Sequence, residues 1–144
     1  MPVWQTCLIR ILLAVGLGAA VGLERQLSGK VAGIRTNMLI CLGAAVLTII
    51  SEEMGLRHND SAARIAAQIV TGVGFLGAGV IIRDRGGVYG LTTAATIWLV
   101  ASVGMAVGAG FYFLAVATAV LAIIILLGLK HWPTRPPNSG PEEQ

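Results

Sequence analysis

Residues 62–82 read AARIAAQIVTGVGFLGAGVII, and beyond Arg64 the stretch carries no charge. An α-helix needs about 20 mainly apolar residues to cross about 30 Å of hydrocarbon. This stretch, from Ala62 to Ile82, meets that length, and in lipid its backbone polar groups must be satisfied within a helix. Working outward, the polar Arg83-Asp84-Arg85-Gly86-Gly87 break leads to a fourth span from Thr92 to Val107. The Gly108-Ala109-Gly110 break precedes a fifth, from Phe111 to Leu129. Upstream lie a first span from Val3 to Leu23, which carries Arg10, and a second from Thr36 to Ile50, which extends into Ser51 and beyond. The pattern predicts an all-α, polytopic membrane protein with five transmembrane helices over residues 1–130. Residues 131–144 form a Pro-rich tail that is expected to be disordered and cytoplasmic.

Composition agrees with that reading. The 144 residues are 56% hydrophobic and 12% charged, and the mean hydropathy is +0.81, well above that of an average soluble domain. The net charge of +3 is scattered between apolar runs, without the basic stripe and interleaved aromatics of a nucleic-acid binder. Cys7 and Cys41 sit inside apolar segments, where the spacing of a metal site or a disulfide framework is missing. No charged region precedes the first apolar run, so the first span reads as a retained helix.

Orientation follows from the basic residues, because cytoplasmic loops retain Lys and Arg. Arg25, Lys30, Arg35, Arg83, Arg85, Lys130 and Arg135 fall on one side, and Arg57 and Arg64 on the other. Five spans then place the amino terminus outside, the carboxyl terminus in the cytoplasm, and Glu52, Glu53 and Asp60 outward. Within the bilayer, helices associate through close backbone approach. Ala14, Gly18 and Gly22 form a row of small residues on the first helix, and Gly74 with Ala78, Gly104 with Gly108, and Ala115 with Ala119 repeat the spacing.

Three constellations could carry chemistry. At the first connection, Glu24 opposes the helix macrodipole and calls for a partner, either Arg25 or Arg35 or a bound ion; Thr36 or Asn37 is a natural N-cap for the second helix. In the third span, Gly72, Gly74, Gly77 and Gly79 lower helix propensity, which makes sense where another backbone approaches or the helix unwinds. Arg64 opens that span, and Gln68 would lie in the membrane, suited to an interhelical hydrogen bond or a lined cavity. At the start of the fourth, Thr92 and Thr93 are expected to cap the helix. Gly86-Gly87 lacks the Lys-Ser/Thr ending of a P-loop. His58 and His131 fall on opposite sides, which leaves no paired-histidine metal site or catalytic triad.

Four motifs together resemble the MgtC/SapB family: Gly22-Leu23-Glu24-Arg25; Ala32-Gly33-Ile34-Arg35-Thr36; the run from Arg64 to Ile81; and Gly90-Leu91-Thr92-Thr93-Ala94-Ala95. The similarity spans about Gly16 to Tyr112. It implies a bacterial inner-membrane protein linked to growth under magnesium limitation, in a family also associated with virulence and survival inside phagocytes. It further implies action on other membrane proteins, the ATP synthase among them, rather than direct magnesium transport. Carried onto matching positions, it singles out Glu24, Arg35, Asn37, Arg64, Gln68 and the glycines of the third helix. Larger relatives continue into a cytoplasmic C-terminal domain, where this chain has its Pro-rich tail.

The expected function is therefore non-enzymatic: a regulatory protein that binds a partner within the bilayer, with homo-oligomers compatible with the small-residue rows. No cofactor is expected, and no metal site is assigned. The alternative is a small channel or transporter, for magnesium or another ion, built around Glu24, Asn37 and Asp84, since magnesium takes oxygen ligands and keeps several waters.

Overall fold

The computed structural model describes residues 3–58, 63–84 and 87–129. Five helices follow one another: α1 (Val3–Leu27), α2 (Ile34–His58), α3 (Ala63–Gly79), α4 (Leu91–Gly108) and α5 (Tyr112–Gly128). Between α3 and α4 lie two short strands, β1 (Ile82–Asp84) and β2 (Gly87–Tyr89). They pair antiparallel, with Ile82 opposite Tyr89, Arg83 opposite Val88 and Asp84 opposite Gly87. The expectations for Asp60, Arg85, Lys130, His131, Arg135 and the tail, and for the side chains of Arg57 and His58, lie outside the described residues.

The chain is a polytopic membrane protein, and the helix limits refine the spans read from sequence. α1, α2 and α4 are long and apolar enough to cross a membrane. α3 and α5 have 17 residues each, or about 25 Å at 1.5 Å per residue. α1 runs one turn past Leu23. α2 starts at Ile34 and continues beyond Ile50 through Ser51, Glu52, Glu53 and Met54, because Glu and Met favour the helix even where the apolar pattern stops. α3 ends sooner than read: Val80 and Ile81 donate to the carbonyls of Gly77 and Ala78, a tightened last turn, and Ile82 has moved into a strand.

Two helix ends are built alike. After α1, the Gly29 amide donates to the Gln26 carbonyl and the Lys30 amide to the Arg25 carbonyl, with Gly29 at φ +66°. After α4, Gly110 donates to Val107 and Phe111 to Ala106, with Gly110 at φ +79°. Both are Schellman endings, which place glycine where a side chain would be strained.

α4 packs on all four other helices, and α1 on α2, α4 and α5. One apolar core gathers Ala14, Val21, Cys41, Ala45, Val100, Val103, Val107, Ala115 and Ala119. A second, smaller core joins α2, α3 and α4 through Ala44, Ile69, Val73, Ile97 and Ala101. Glycines set the spacing of the main seams. A Cβ on Gly18 would stand 2.8 Å from the Asn37 carbonyl oxygen, and one on Gly22 2.7 Å from the Ile34 Cα. On α4, a Cβ on Gly108 would stand 2.6 Å from the Ala45 oxygen, and one on Gly104 would meet the Cys41 carbonyl more closely still.

Candidate functional site

The far end of α1 holds three buried polar side chains, Glu24, Arg25 and Asn37. Glu24 Oε1 accepts a 2.7 Å hydrogen bond from the Ser28 hydroxyl, and Glu24 Oε2 lies 3.5 Å from Arg25 Nη1. Of the two partners weighed for Glu24, the structure selects Arg25; Arg35 is exposed. Arg25 lies in the last turn of α1, where its charge suits the negative end of the helix. Among the described residues, four buried side-chain atoms have no hydrogen-bond partner: Glu24 Oε2, Arg25 Nε and Nη2, and Asn37 Oδ1. Leaving one such group dry costs about 1–3 kcal/mol.

The capping roles read from sequence are corrected at this end. α2 starts before Thr36, which is exposed. Asn37, already inside the helix, donates from Nδ2 to the Ala32 and Gly33 carbonyls, both at 2.8 Å. Its carboxamide thus closes the turn that enters α2, while the first amide of the helix, Ile34, is taken by Gln26 Oε1 at 3.3 Å. Thr92 and Thr93 likewise follow the start of α4. The N-cap is Gly90, at φ +88° and without a side-chain cap; Thr92 is exposed, Thr93 is buried, and the Thr92 carbonyl accepts from the Thr96 hydroxyl.

α3 presents a different surface. Ile69, Val73 and Gly77 face inward, whereas Ala67, Gln68, Thr71, Gly72, Gly74, Ala78 and Gly79 are all exposed. Of the α3 glycines read as packing positions, Gly77 alone meets a neighbour, in ordinary contact with Ala94; a Cβ on Gly72, Gly74 or Gly79 would meet nothing within 4 Å. Among the described residues, these three therefore meet no neighbouring helix. Between α2 and α3 runs an open apolar groove of about 590 Å³ whose lining includes Leu39, Gly43, Leu47, Gln68 and Gly72. Gln68 has no hydrogen-bond partner among the described residues. Arg64 is exposed at the start of α3, and Asp84 is exposed on β1, whereas Glu24 and Asn37 are buried.

A cluster at the opposite end was missed by the sequence reading. Arg10 Nη1 contacts Glu52 Oε2 at 3.0 Å and donates to the Gly108 carbonyl at 2.6 Å, and Arg10 Nε donates to the Tyr112 hydroxyl at 3.1 Å. One guanidinium so joins α1, α2, the end of α4 and the start of α5. The signal was present: a lone Arg in an apolar span demands partners, and Glu52 follows directly on the second apolar run. Among the described residues no three His, Cys, Asp or Glu side chains gather as a metal site.

Comparison with known proteins follows the same lines. Residues 11–134 match the model of the MgtC family. The chain is 44% identical over 125 residues to "Putative magnesium transporter YhiD" of Escherichia coli K12, covering 83% of this chain and 58% of that protein. It is 46% identical over 116 residues to "Protein MgtC" of Salmonella typhimurium LT2, covering 81% and 49%. An uncharacterized protein of Synechocystis is 41% identical over 127 residues, covering 88% and 53%. The chain thus spans about half the length of these relatives. No solved structure matches. With its five helices and a family match over most of its length, the chain belongs to the MgtC family.

Proposed function

We propose that this chain is a non-enzymatic bacterial inner-membrane protein that serves adaptation to magnesium limitation by binding other membrane proteins through the open side of α3. The observation that carries the reading is the exposed row Ala67, Thr71, Gly74 and Ala78 beside the exposed Gln68. Each glycine in a helix costs about 0.8–1 kcal/mol relative to alanine, and nothing among the described residues lies against Gly72, Gly74 or Gly79 to offset that. A helix from a partner, approaching closely over small residues and bonding to Gln68, offsets it. The ATP synthase, implied by family resemblance, and a second copy of the chain are the partners to test first. The exposed Lys30, Arg35 and Arg83 support an amino terminus outside and a carboxyl terminus in the cytoplasm.

A photo-crosslinking residue at Gly74 should capture the partner in cells grown at low magnesium. The same residue at Gly16, which is equally open but on α1, should not. Gly74→Leu should abolish both capture and low-magnesium growth while leaving the protein inserted; an unaffected Gly74→Leu strain would defeat the proposal.

A second reading, an ion transporter, draws support from the buried Glu24 with its unpaired oxygen and from the name carried by YhiD. Magnesium uptake into proteoliposomes that falls in Glu24→Ala would favour it, and absence of flux from folded, inserted protein would remove it.

A further inference from the structure

The groove between α2 and α3 carries an inference separate from the small-residue face of α3. Its floor is fixed. Ala44, Ile69 and Val73 line it and also belong to the smaller apolar core, and the Ala66 amide donates to Ser51 Oγ at 3.3 Å, which ties the two helices at one end. Gly43 and Gly72 open the groove, since a Cβ on either would meet nothing within 4 Å. The space is about 590 Å³, within the range of small-molecule sites, and among the described residues Gln68 is the one polar side chain that lines it. Ala67, Thr71, Gly74 and Ala78 do not line it; at about 100° per residue they fall on the other side of α3.

Length decides what fits. The lining runs from Leu39 to Leu47 on α2 and from Ile65 to Leu76 on α3, about 12 Å and about 16 Å at 1.5 Å per residue. A spanning helix from another protein must cross about 30 Å of hydrocarbon, whereas an acyl chain occupies one leaflet, about 15 Å. The groove has the reach of an acyl chain. Gln68, Gly72 and Leu76 follow one another at i, i+4 spacing along one ridge of α3, and Arg64, exposed at the start of the helix, is the next residue on that ridge. Side chains on a helix lean toward its N-terminus. The Gln68 amide is thereby carried toward the membrane surface, and the Arg64 guanidinium reaches beyond it to the headgroups. From the surface inward the ridge offers a cation, an amide and an apolar slot, which is the order of phosphate, ester carbonyl and acyl chain in a phospholipid.

We infer that the α2–α3 groove holds one glycerophospholipid of the leaflet at the start of α3. Its acyl chain lies over Gly43 and Gly72, an ester carbonyl accepts from the Gln68 amide, and the phosphate meets Arg64. Gln68 has two N–H donors and one acceptor, so a lipid that takes one N–H leaves the rest for a partner helix on the small-residue row.

The test is native mass spectrometry of the purified chain titrated with phosphatidylglycerol in its diacyl ester and its diether form, at matched chain length. The ester should be retained about fivefold more than the ether, the worth of one hydrogen bond to a carbonyl, and Gln68→Leu should bring the two level. Arg64→Gln should weaken retention of both about tenfold, because hydrogen bonds from a charged donor are the stronger ones. Gly43→Leu fills the groove from α2 and should remove the bound lipid while leaving capture from a crosslinker at Gly74 unchanged; Gly74→Leu should keep the lipid. Equal retention of ester and ether by the unaltered chain overturns the assignment without recourse to any variant. So does lipid retention that Gly43→Leu leaves undiminished, or loss of a co-purifying protein rather than of lipid in that variant, which would give the groove to a protein.

Discussion

Replacing Gly22 and Gly72 by alanine, one at a time, should change stability in opposite directions. On Gly22 the new Cβ would stand 2.7 Å from the Ile34 Cα, 3.0 Å from the Asn37 Cβ and 3.1 Å from the Ile34 carbonyl oxygen. Carbon atoms pack best at about 3.5–4.0 Å, so α2 must retreat by nearly 1 Å, and the atoms concerned are mostly backbone that cannot swing aside. A gap of that size forfeits a quarter to a half of the dispersion energy along the seam. Overpacking of this kind costs about 1–3 kcal/mol, and alanine's better helix propensity returns about 1 kcal/mol. Because two of the three clashing atoms are backbone, the cost falls in the upper part of that range, about 2–3 kcal/mol, and the net expectation for Gly22→Ala is a loss of about 1–2 kcal/mol. On Gly72 the Cβ meets nothing within 4 Å, so the propensity gain stands alone and Gly72→Ala should be about 0.5–1 kcal/mol more stable than the unaltered protein. Reversible unfolding in mixed micelles, followed by circular dichroism, measures both. A Gly22→Ala protein as stable as the original would refute the reasoning, as would a Gly72→Ala protein that is less stable.

Arg10→Leu should cost about 2–4 kcal/mol in the same assay, because it strands the Gly108 carbonyl and Glu52 together; Glu52→Gln, at a half-exposed pair, should cost about 1 kcal/mol or less. Equal losses would mean that the carbonyl and Tyr112 contacts contribute nothing. Asn37→Asp should be harsher than Asn37→Ala, since a carboxylate would face the Ala32 and Gly33 carbonyls that the amide now serves; the reverse order in unfolding midpoints would show that the amide donates elsewhere. Gly90→Ala combines a φ of +88° with a Cβ driven into the Val80 carbonyl and should lose about 2 kcal/mol or more; a monodisperse, fully stable variant on size exclusion and unfolding would contradict that geometry.

Hydropathy and length made the helical membrane architecture legible, since few other structures satisfy the backbone of residues 62–82 in lipid. The seams were partly legible. The spacing of Ala14, Gly18 and Gly22 defines a face, and α2 lies on that face. Gly72, Gly74 and Gly79 read the same way in sequence, because periodicity says which residues share a face and not whether anything covers it. Glu24 beside Arg25 could be read from adjacency. For Arg10 the need for partners was legible and their identity was not, as Glu52, Gly108 and Tyr112 come from three other regions of the chain. The caps were misjudged for a local reason: glycines at 33 and 90 start α2 and α4, which moves Asn37, Thr92 and Thr93 one turn or less inside. The strands at 82–84 and 87–89 are too short to leave a period.

The seating of α4 has a consequence for how the protein is assembled. Its Gly104 and Gly108 close on Cys41 and Ala45 of α2, partners that precede it in the chain by all of α3 and the hairpin. α1 and α2 are neighbours in sequence and can join as soon as both have entered the bilayer, with little loop-closure entropy to overcome. α4 locks only after the whole of α3 has been inserted and the hairpin has turned the chain back. α3 can dock on α2 as it enters, through Ala44, Ile69 and Val73, whereas its contacts with α4 form only afterwards. A chain paused at that stage displays two unfinished surfaces, the α2 face that awaits α4 and the α3 face that stays open afterwards, and a partner present during insertion meets the first before it can meet the second.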